Sequence, residues 1–134
     1  MLPQEIKEQI LERLQERLKL YRVILFGSYA GRAPEADSDI DLLVVTDDDS
    51  MPASFEENME NYLAVSSALR EIKRKIPIDL IVHTKPMHER FMQLGSMFSK
   101  EVAMKGEVLY ERGNLRVAEG SRSRPPGHRQ DRLR

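Results

Sequence analysis

The chain has 134 residues, of which 40% are hydrophobic and 32% are charged, with no cysteine and a formal net charge of −1. This length supports one domain with a modest core and is too short for two. The absence of cysteine excludes disulfides and thiolate metal sites and suits a reducing cytoplasm. No apolar run reaches the roughly eighteen residues that a membrane span needs, and the N-terminus has no signal-peptide pattern. We therefore expect a cytoplasmic protein with one domain.

Charge is distributed unevenly along the chain. Residues 114–134 contain six arginines against Glu119 and Asp131, a net charge of +4 that leaves −5 for residues 1–113. This stretch has few apolar residues, so we expect a domain over residues 1–113 followed by a disordered Arg-rich tail. The acidic body argues against nucleic acid as a direct ligand of the folded domain, because such binding depends on lysines and arginines that neutralise phosphates.

Hydrophobic periodicity predicts alternating helices and strands. The predicted helices cover residues 3–20, a short stretch near Ser28, residues 54–75 and residues 85–105, and the predicted strands cover residues 23–26, 40–45, 77–82 and 108–110. The last helix is expected to break near Gly95 and to end at Gly106. Its expected inward positions are Phe91, Leu94, Phe98 and Val102. This alternation predicts an α/β fold in layers.

The residues that end the first strand and begin the second carry the main chemical signal. Gly27 lets backbone amides approach a phosphate closely, and Ser28 adds a hydroxyl donor or, alternatively, caps the following helix. Asp39 and Asp41 share one face of the second strand, because successive side chains alternate. Two adjacent carboxylates repel each other unless a cation such as Mg²⁺ lies between them. The pattern predicts nucleotide phosphates beside a catalytic metal; surface acids at a strand entry are the alternative.

A third carboxylate lies in a later apolar strand. Asp79 has apolar neighbours on both sides, and an acid in such a strand is unfavourable unless it is paired, protonated or metal-bound. If this strand lies beside that of Asp39 and Asp41, the three carboxylates converge, as two-metal nucleotidyl transfer requires. The alternative is an edge strand marked by Pro77, on which an acid costs little.

Other polar residues are ambiguous or are expected at the surface. Arg32 has the fork geometry that suits a triphosphate, but it pairs equally well with Glu35 or Asp37. The acids of residues 47–49 follow one another directly and cannot converge on one ion from a strand, so a solvated loop or a helix cap is expected. His88 lies among charged residues of a predicted helix and is expected to be solvated.

These residues together resemble the nucleotidyltransferase superfamily that includes DNA polymerase β. The shared motif consists of Gly27-Ser28, ten intervening residues, Asp39-x-Asp41 and Asp79 on a later strand. The short chain is similar to the minimal members of the superfamily, including the MntA-type antitoxins of HEPN/MNT toxin–antitoxin pairs. The resemblance extends over about residues 24–110 and implies a mixed β-sheet flanked by helices. One departure is Ala30-Gly31-Arg32, where many relatives have the order alanine-arginine-glycine.

The resemblance also implies an activity and a partner. The expected enzyme uses Mg²⁺ in a two-metal site and moves AMP from ATP to an acceptor hydroxyl. Catalytic and metal-binding roles would belong to Asp39, Asp41 and Asp79, and binding of the nucleotide phosphates to Gly27, Ser28 and Arg32. The implied partner is a helical HEPN-family RNase toxin in a hetero-oligomer, neutralised by binding and by transfer of AMP to a tyrosine.

Two other functions share these sequence features. A small-molecule nucleotidyltransferase of the aminoglycoside-modifying type would carry the same motif, together with an additional substrate domain or a homodimeric cleft. A non-catalytic module would keep the fold, bind a partner and retain only a vestigial site. The intact set of three acids speaks against this second alternative.

Overall fold

The computed structural model describes residues 2–30 and 39–112, so the predicted tail over residues 114–134 lies outside this part. The helices in it are α1 (Gln4–Arg17), α2 (Phe55–Ala68), α3 (Arg70–Lys75), α4 (Lys85–Leu94) and α5 (Met97–Lys105). The strands are β1 (Leu20–Phe26), β2 (Ile40–Thr46), β3 (Ile78–His83) and β4 (Glu107–Glu111). A 3-10 turn, Gly27–Ala30, follows β1.

Among the described strands, the sheet has the order β3-β2-β1-β4. β1 pairs antiparallel with β2 and with β4, whereas β2 and β3 run parallel. The parallel pair is possible because α2 and α3 return the chain between the two strands, a crossover that a short turn cannot make. The result is the mixed sheet flanked by helices that the resemblance implied, with the short C-terminal strand at an edge as predicted.

Helices cover both faces of this sheet. The first face packs mainly against α1 and α2, through residues that include Val23, Leu25, Leu42, Val44, Ile10, Leu14, Val65 and Leu69. The second face packs against α4 and α5, through Ile24, Leu43, Val45, Val102 and Phe91. β2 is apolar at nearly every position after Asp41 because its two faces are both buried. Asp41 lies on the second face.

The first helix ends earlier than its periodicity predicts. α1 stops at Arg17, and Leu18 already has an extended backbone (φ −138°). Leu20 pairs with Thr46 of β2, and the amide of Arg112 donates to the carbonyl of Tyr21 at 2.8 Å. Strand pairing with distant segments therefore outweighs the local helical pattern over residues 18–20.

The long predicted helix over residues 54–75 is divided in two. α2 ends and α3 begins around Leu69, whose amide is shared between the carbonyls of Val65 and Ser66. Leu69 itself is fully buried, so the division between the two helices lies at a core position.

The break between the last two helices is confirmed, but Leu94 does not point inward. α4 ends at Leu94, and Gly95 turns the chain with a left-handed backbone (φ +64°). Leu94 is therefore at an exposed corner, and its inward prediction was wrong. None of the helices in residues 2–30 and 39–112 has the length and apolar character needed to cross a membrane.

Candidate active site

A row of three side chains crosses the second face of the sheet. Phe26 of β1 is opposite Asp41 of β2, and Asp41 is opposite Asp79 of β3. Neighbouring strands lie about 4.8 Å apart, and opposite residues share a face. Asp41 and Asp79 are therefore neighbours at the end of the sheet where β1 finishes and where β2 and β3 begin. Among the described strands β3 is an edge strand, as Pro77 suggested, and Asp79 on it is exposed. Asp79 nevertheless remains the cross-strand neighbour of Asp41.

The acids of this row influence each other. Asp41 is half-buried, and its burial, then the charge of Asp79, then the charge of Asp39, raise the pKa of the Asp41 carboxyl. Neighbouring negative charges have this effect because they disfavour the ionised form. A divalent cation bound here would offset the repulsion and favour the ionised form of the Asp41 carboxyl.

Gly27 lies directly against the carboxylate of Asp41. Its backbone has φ +72°, a conformation that favours glycine. Gly27 is also the first residue of the 3-10 turn that follows β1. A Cβ atom at this position would collide with Oδ2 of Asp41 and would lie 2.9 Å from its Cγ. The glycine therefore leaves the space that the carboxylate of Asp41 occupies.

The structure describes the remaining predicted site residues only in part. Asp39 is exposed and immediately precedes β2. The backbone of Ser28 lies in the turn after β1, but its side chain is outside the described part, as is all of Arg32. Within residues 2–30 and 39–112, no three His, Cys, Asp or Glu side chains are arranged to hold one metal ion. The three acids are close, but they are not a complete ligand set by themselves.

Two neighbouring carboxylates nevertheless suit Mg²⁺. This ion keeps several waters and is usually bound by one or two carboxylates together with substrate phosphates. Asp41 and Asp79 are the residues that would hold it, and the phosphates would lie beside the turn at Gly27. Bound there, the ion would neutralise phosphate charge and polarise a phosphoryl oxygen.

Residues 8–114 match the family model described as polymerase beta nucleotidyltransferase. The match spans most of the chain and includes the turn at Gly27 and the row of acids. The chain belongs to the polymerase β nucleotidyltransferase family.

Three solved structures are similar to this nucleotidyltransferase. A toxin–antitoxin with AMP-PNP is 22% identical with a TM-score of 0.50, over 81% of this chain and 75% of that chain. A mutant MntA–HpeT toxin–antitoxin is 20% identical with a TM-score of 0.49, over the same shares. A tri-AMPylated Shewanella oneidensis HEPN toxin in complex with MNT antitoxin is 22% identical with a TM-score of 0.45, over 81% of this chain and 71% of that chain. Identities this low show a common fold. No curated protein matches the chain significantly.

The nucleotidyltransferase has an aromatic group beside its acids that the motif did not indicate. The ring of Phe26 meets that of Phe98 edge-on, with centroids 5.5 Å apart, and Phe98 meets Phe91 in the same way at 5.6 Å. Phe98 was predicted to point inward, yet 42% of its surface is exposed. Because side chains alternate along β1, Phe26 lies on the same face of the sheet as Asp41. This alternation was the sequence signal that could have identified an aromatic side chain beside the acids.

The opposite end of the same face carries a buried polar group. His88 of α4 is only 3% exposed, so the prediction of a solvated histidine was wrong. Arg22 donates to Nε2 of His88 at 3.1 Å and also pairs with Glu111 at 2.6 Å. Burial, then the charge of Arg22, then that of His83, lower the pKa of His88 from its ordinary 6.5 to about 4. Helical spacing did not reveal this partner because Arg22 is 66 residues away.

The acids after β2 are paired rather than simply solvated. Lys85 contacts Asp47 and Asp49, both at 2.9 Å, and Arg112 contacts Asp47 at 2.6 Å. Asp48 accepts bonds from the backbone and hydroxyl of Ser50, which lower its pKa. Two of these acids, Asp47 and Asp49, meet at the ammonium group of Lys85, and the pairs of Asp47 join the end of β2 to α4 and to the chain after β4.

Proposed function

We propose that this nucleotidyltransferase transfers AMP from ATP to a hydroxyl of a protein partner, a tyrosine of a helical HEPN-type toxin, in the cytoplasm. The observation that carries the reaction is the Asp41–Asp79 pair, whose members are opposite each other on β2 and β3, beside Gly27, which has no side chain. The acceptor oxygen forms a bond to the α-phosphorus, and the bond from that phosphorus to the bridging oxygen breaks. Pyrophosphate then leaves with the electron pair of the broken bond.

Each acid has a defined part in this proposal. Asp41 and Asp79 hold Mg²⁺, with Asp39 completing the ligands when the nucleotide binds. Asp79, which is the exposed acid of the row, accepts the proton of the acceptor hydroxyl. Gly27 and Ser28 hold the β- and γ-phosphates, and Arg32 is a further phosphate ligand. Catalysis depends on position and on neutralisation of charge, as is usual for phosphoryl-type transfer.

The nature of the acceptor is proposed from two considerations. The sequence motif resembles that of MntA-type antitoxins, and a structure with the same fold is a toxin–antitoxin with AMP-PNP. Asp79 also lies on an edge strand of the described sheet, so a large acceptor can approach it from the side. A protein hydroxyl fits this access better than a small molecule, which would need walls on both sides.

The decisive experiment combines this protein with ATP labelled at the α-phosphate, Mg²⁺ and the product of the neighbouring gene, which the proposal expects to be a helical HEPN-type protein. Label on a tyrosine of the helical protein is the expected result. Asp41→Asn should reduce labelling by about a thousandfold, because a carboxylate at the reacting phosphate contributes several kcal/mol. Asp49→Asn is the control, since Asp49 is 89% exposed and contacts Lys85 at the far end of the sheet. Full labelling by Asp41→Asn, or none by the unaltered pair, would contradict the proposal.

A further inference from the structure

The half-exposed ring of Phe98 has no role in the chemistry described so far. We propose that Phe98, supported by Phe26, is the surface on which the base of the nucleotide stacks. This inference rests on the proposed function, because it assigns a binding residue for the nucleotide substrate of that reaction.

The position of Phe98 follows from the row of acids. Phe26 immediately precedes the turn at Gly27, and it is the cross-strand neighbour of Asp41. The ring of Phe98 lies on that of Phe26, with the two planes at 71°. A nucleotide whose phosphates lie beside the Asp41 carboxylate and the turn at Gly27 would therefore have an aromatic side chain one ring away from the metal-binding acids. Asp79 lies on the side of Asp41 that is away from Phe26, so the acceptor can approach the row from that side.

The ring is also held in place while part of it faces solvent. Phe26 and Phe91 contact it edge-on, at 5.5 and 5.6 Å, and 42% of its surface is still exposed. A large apolar ring gains from removal of this area from water, and a ring already fixed by its neighbours loses little freedom on binding. The flat faces of nucleobases are suitable partners for such a ring.

The chemistry of the ring also predicts what kind of recognition it provides. Phenylalanine has no hydrogen-bonding group, so stacking on it does not distinguish one base from another. We therefore expect Phe98 to contribute affinity for nucleoside triphosphates in general. Its removal should weaken binding of ATP and of GTP by similar factors.

The test compares ATP with inorganic tripolyphosphate, which has the phosphates but no base. Calorimetry in the presence of Mg²⁺ measures the Kd of each for the unaltered chain and for Phe98→Leu. Phe98→Leu should weaken ATP binding about tenfold, the size expected for one stacked base, and should leave tripolyphosphate binding unchanged. The matched control is Met97→Ala, because Met97 is the adjacent residue of α5 and is almost fully exposed.

A second variant tests whether lost packing, rather than lost stacking, explains the effect of Phe98→Leu. The chain contains no tryptophan, so Phe98→Trp introduces a single fluorescent reporter while keeping an aromatic surface. This variant should bind ATP at least as tightly as the unaltered chain, and ATP should change its emission whereas tripolyphosphate should not.

The outcomes separate this inference from the proposed function. If the unaltered chain binds both ligands and Phe98→Leu binds ATP as tightly as before, the stacking role is wrong while the reaction stands. If Phe98→Leu weakens both ligands equally, Phe98 only supports the fold. If the unaltered chain binds neither ligand with Mg²⁺, the proposed function itself fails.

Discussion

At the scale of single residues, two positions of positive φ allow a test of what Gly27 contributes. Gly27 and Gly95 have φ values of +72° and +64°, so an alanine at either position carries a similar backbone cost of about 1–2 kcal/mol. Only at Gly27 does the added methyl group meet a carboxylate, that of Asp41. At Gly95 the nearest atom is Cε of Lys100, 3.8 Å away.

We expect Gly27→Ala to abolish AMP transfer, because the methyl group displaces the Asp41 carboxylate. Gly95→Ala should lower the free energy of unfolding by about 1 kcal/mol and leave the rate of transfer unchanged. Chemical denaturation and the labelling assay measure the two effects. Equal activity in both variants would show that Gly27 has no special relation to Asp41.

His88 provides a second test at this scale, through the dependence of stability on pH. Its pKa is about 4 in the folded chain, against 6.5 ordinarily. Between these values the unfolded chain binds more protons than the folded chain, so the free energy of unfolding decreases as the pH falls from about 6.5 to about 4. Since one pKa unit is worth about 1.36 kcal/mol, we expect a loss of about 3 kcal/mol over this range.

The measurement is denaturation at several pH values. His88→Gln, which retains an acceptor for Arg22, should show a smaller decrease over the same interval, with the contribution of His83 left in place because burial also lowers its pKa. An identical pH profile for His88→Gln and the unaltered chain would mean that folding does not shift the pKa of His88.

At the scale of elements, the register of the sheet and the start of α5 determine the site. A slip of one residue between β2 and β3 would move Asp79 to the opposite face from Asp41. α5 begins with a cap in which Ser96 accepts a bond from the amide of Ser99 at 3.1 Å, and it carries Phe98 in its first turn. α2 begins with the same kind of cap, Ser54 accepting from Glu57 at 3.2 Å.

These two caps make a matched pair of variants. Ser96→Ala and Ser54→Ala should each lower the free energy of unfolding by about 1 kcal/mol, the usual value of such a cap. Only Ser96→Ala should also weaken ATP binding, because it loosens the turn that positions Phe98. Calorimetry and chemical denaturation provide the two measurements. Weaker ATP binding in Ser54→Ala would show that general stability, rather than α5, controls the affinity.

At the scale of the whole molecule, Asp47 connects distant parts of the chain. It contacts Lys85 at the start of α4 and Arg112 just after β4, and its side chain is 16% exposed. Asp49 contacts the same lysine but is 89% exposed. Partly buried charge pairs contribute more than exposed ones, because water screens them less.

Asp47→Asn should therefore lower the free energy of unfolding by about 1–2 kcal/mol, since hydrogen bonds to charged groups are worth roughly this much. Asp49→Asn should change it by less than about 0.5 kcal/mol. Urea denaturation at low and moderate salt compares the two, and the deficit of Asp47→Asn should shrink at higher salt. A larger effect at Asp49 would contradict this view of the network.

The α/β class, most of the strands and the motif of the family could all be predicted from the order of the residues. Apolar runs over residues 23–26 and 40–45 predict strands because a strand buried on both faces excludes polar side chains. Gly27, Asp41 and Asp79 were singled out because a glycine turn and acids within two apolar strands occur together. Asp79 is exposed on an edge strand of the described sheet, where an acid costs little, so burial alone did not identify it. Alternation predicted that Asp39 shares a face with Asp41, and Asp39 lies just before β2.

Which of these residues meet could be learned from the folded chain alone. The opposition of Asp41 and Asp79 depends on the parallel register of β2 and β3, which are joined through two helices. The burial of His88 depends on Arg22, and the aromatic contact with Phe26 depends on Phe98, both from distant segments. Local periodicity records how one element packs. It carries no information about a partner tens of residues away, and for this reason such contacts are seen only in the folded chain.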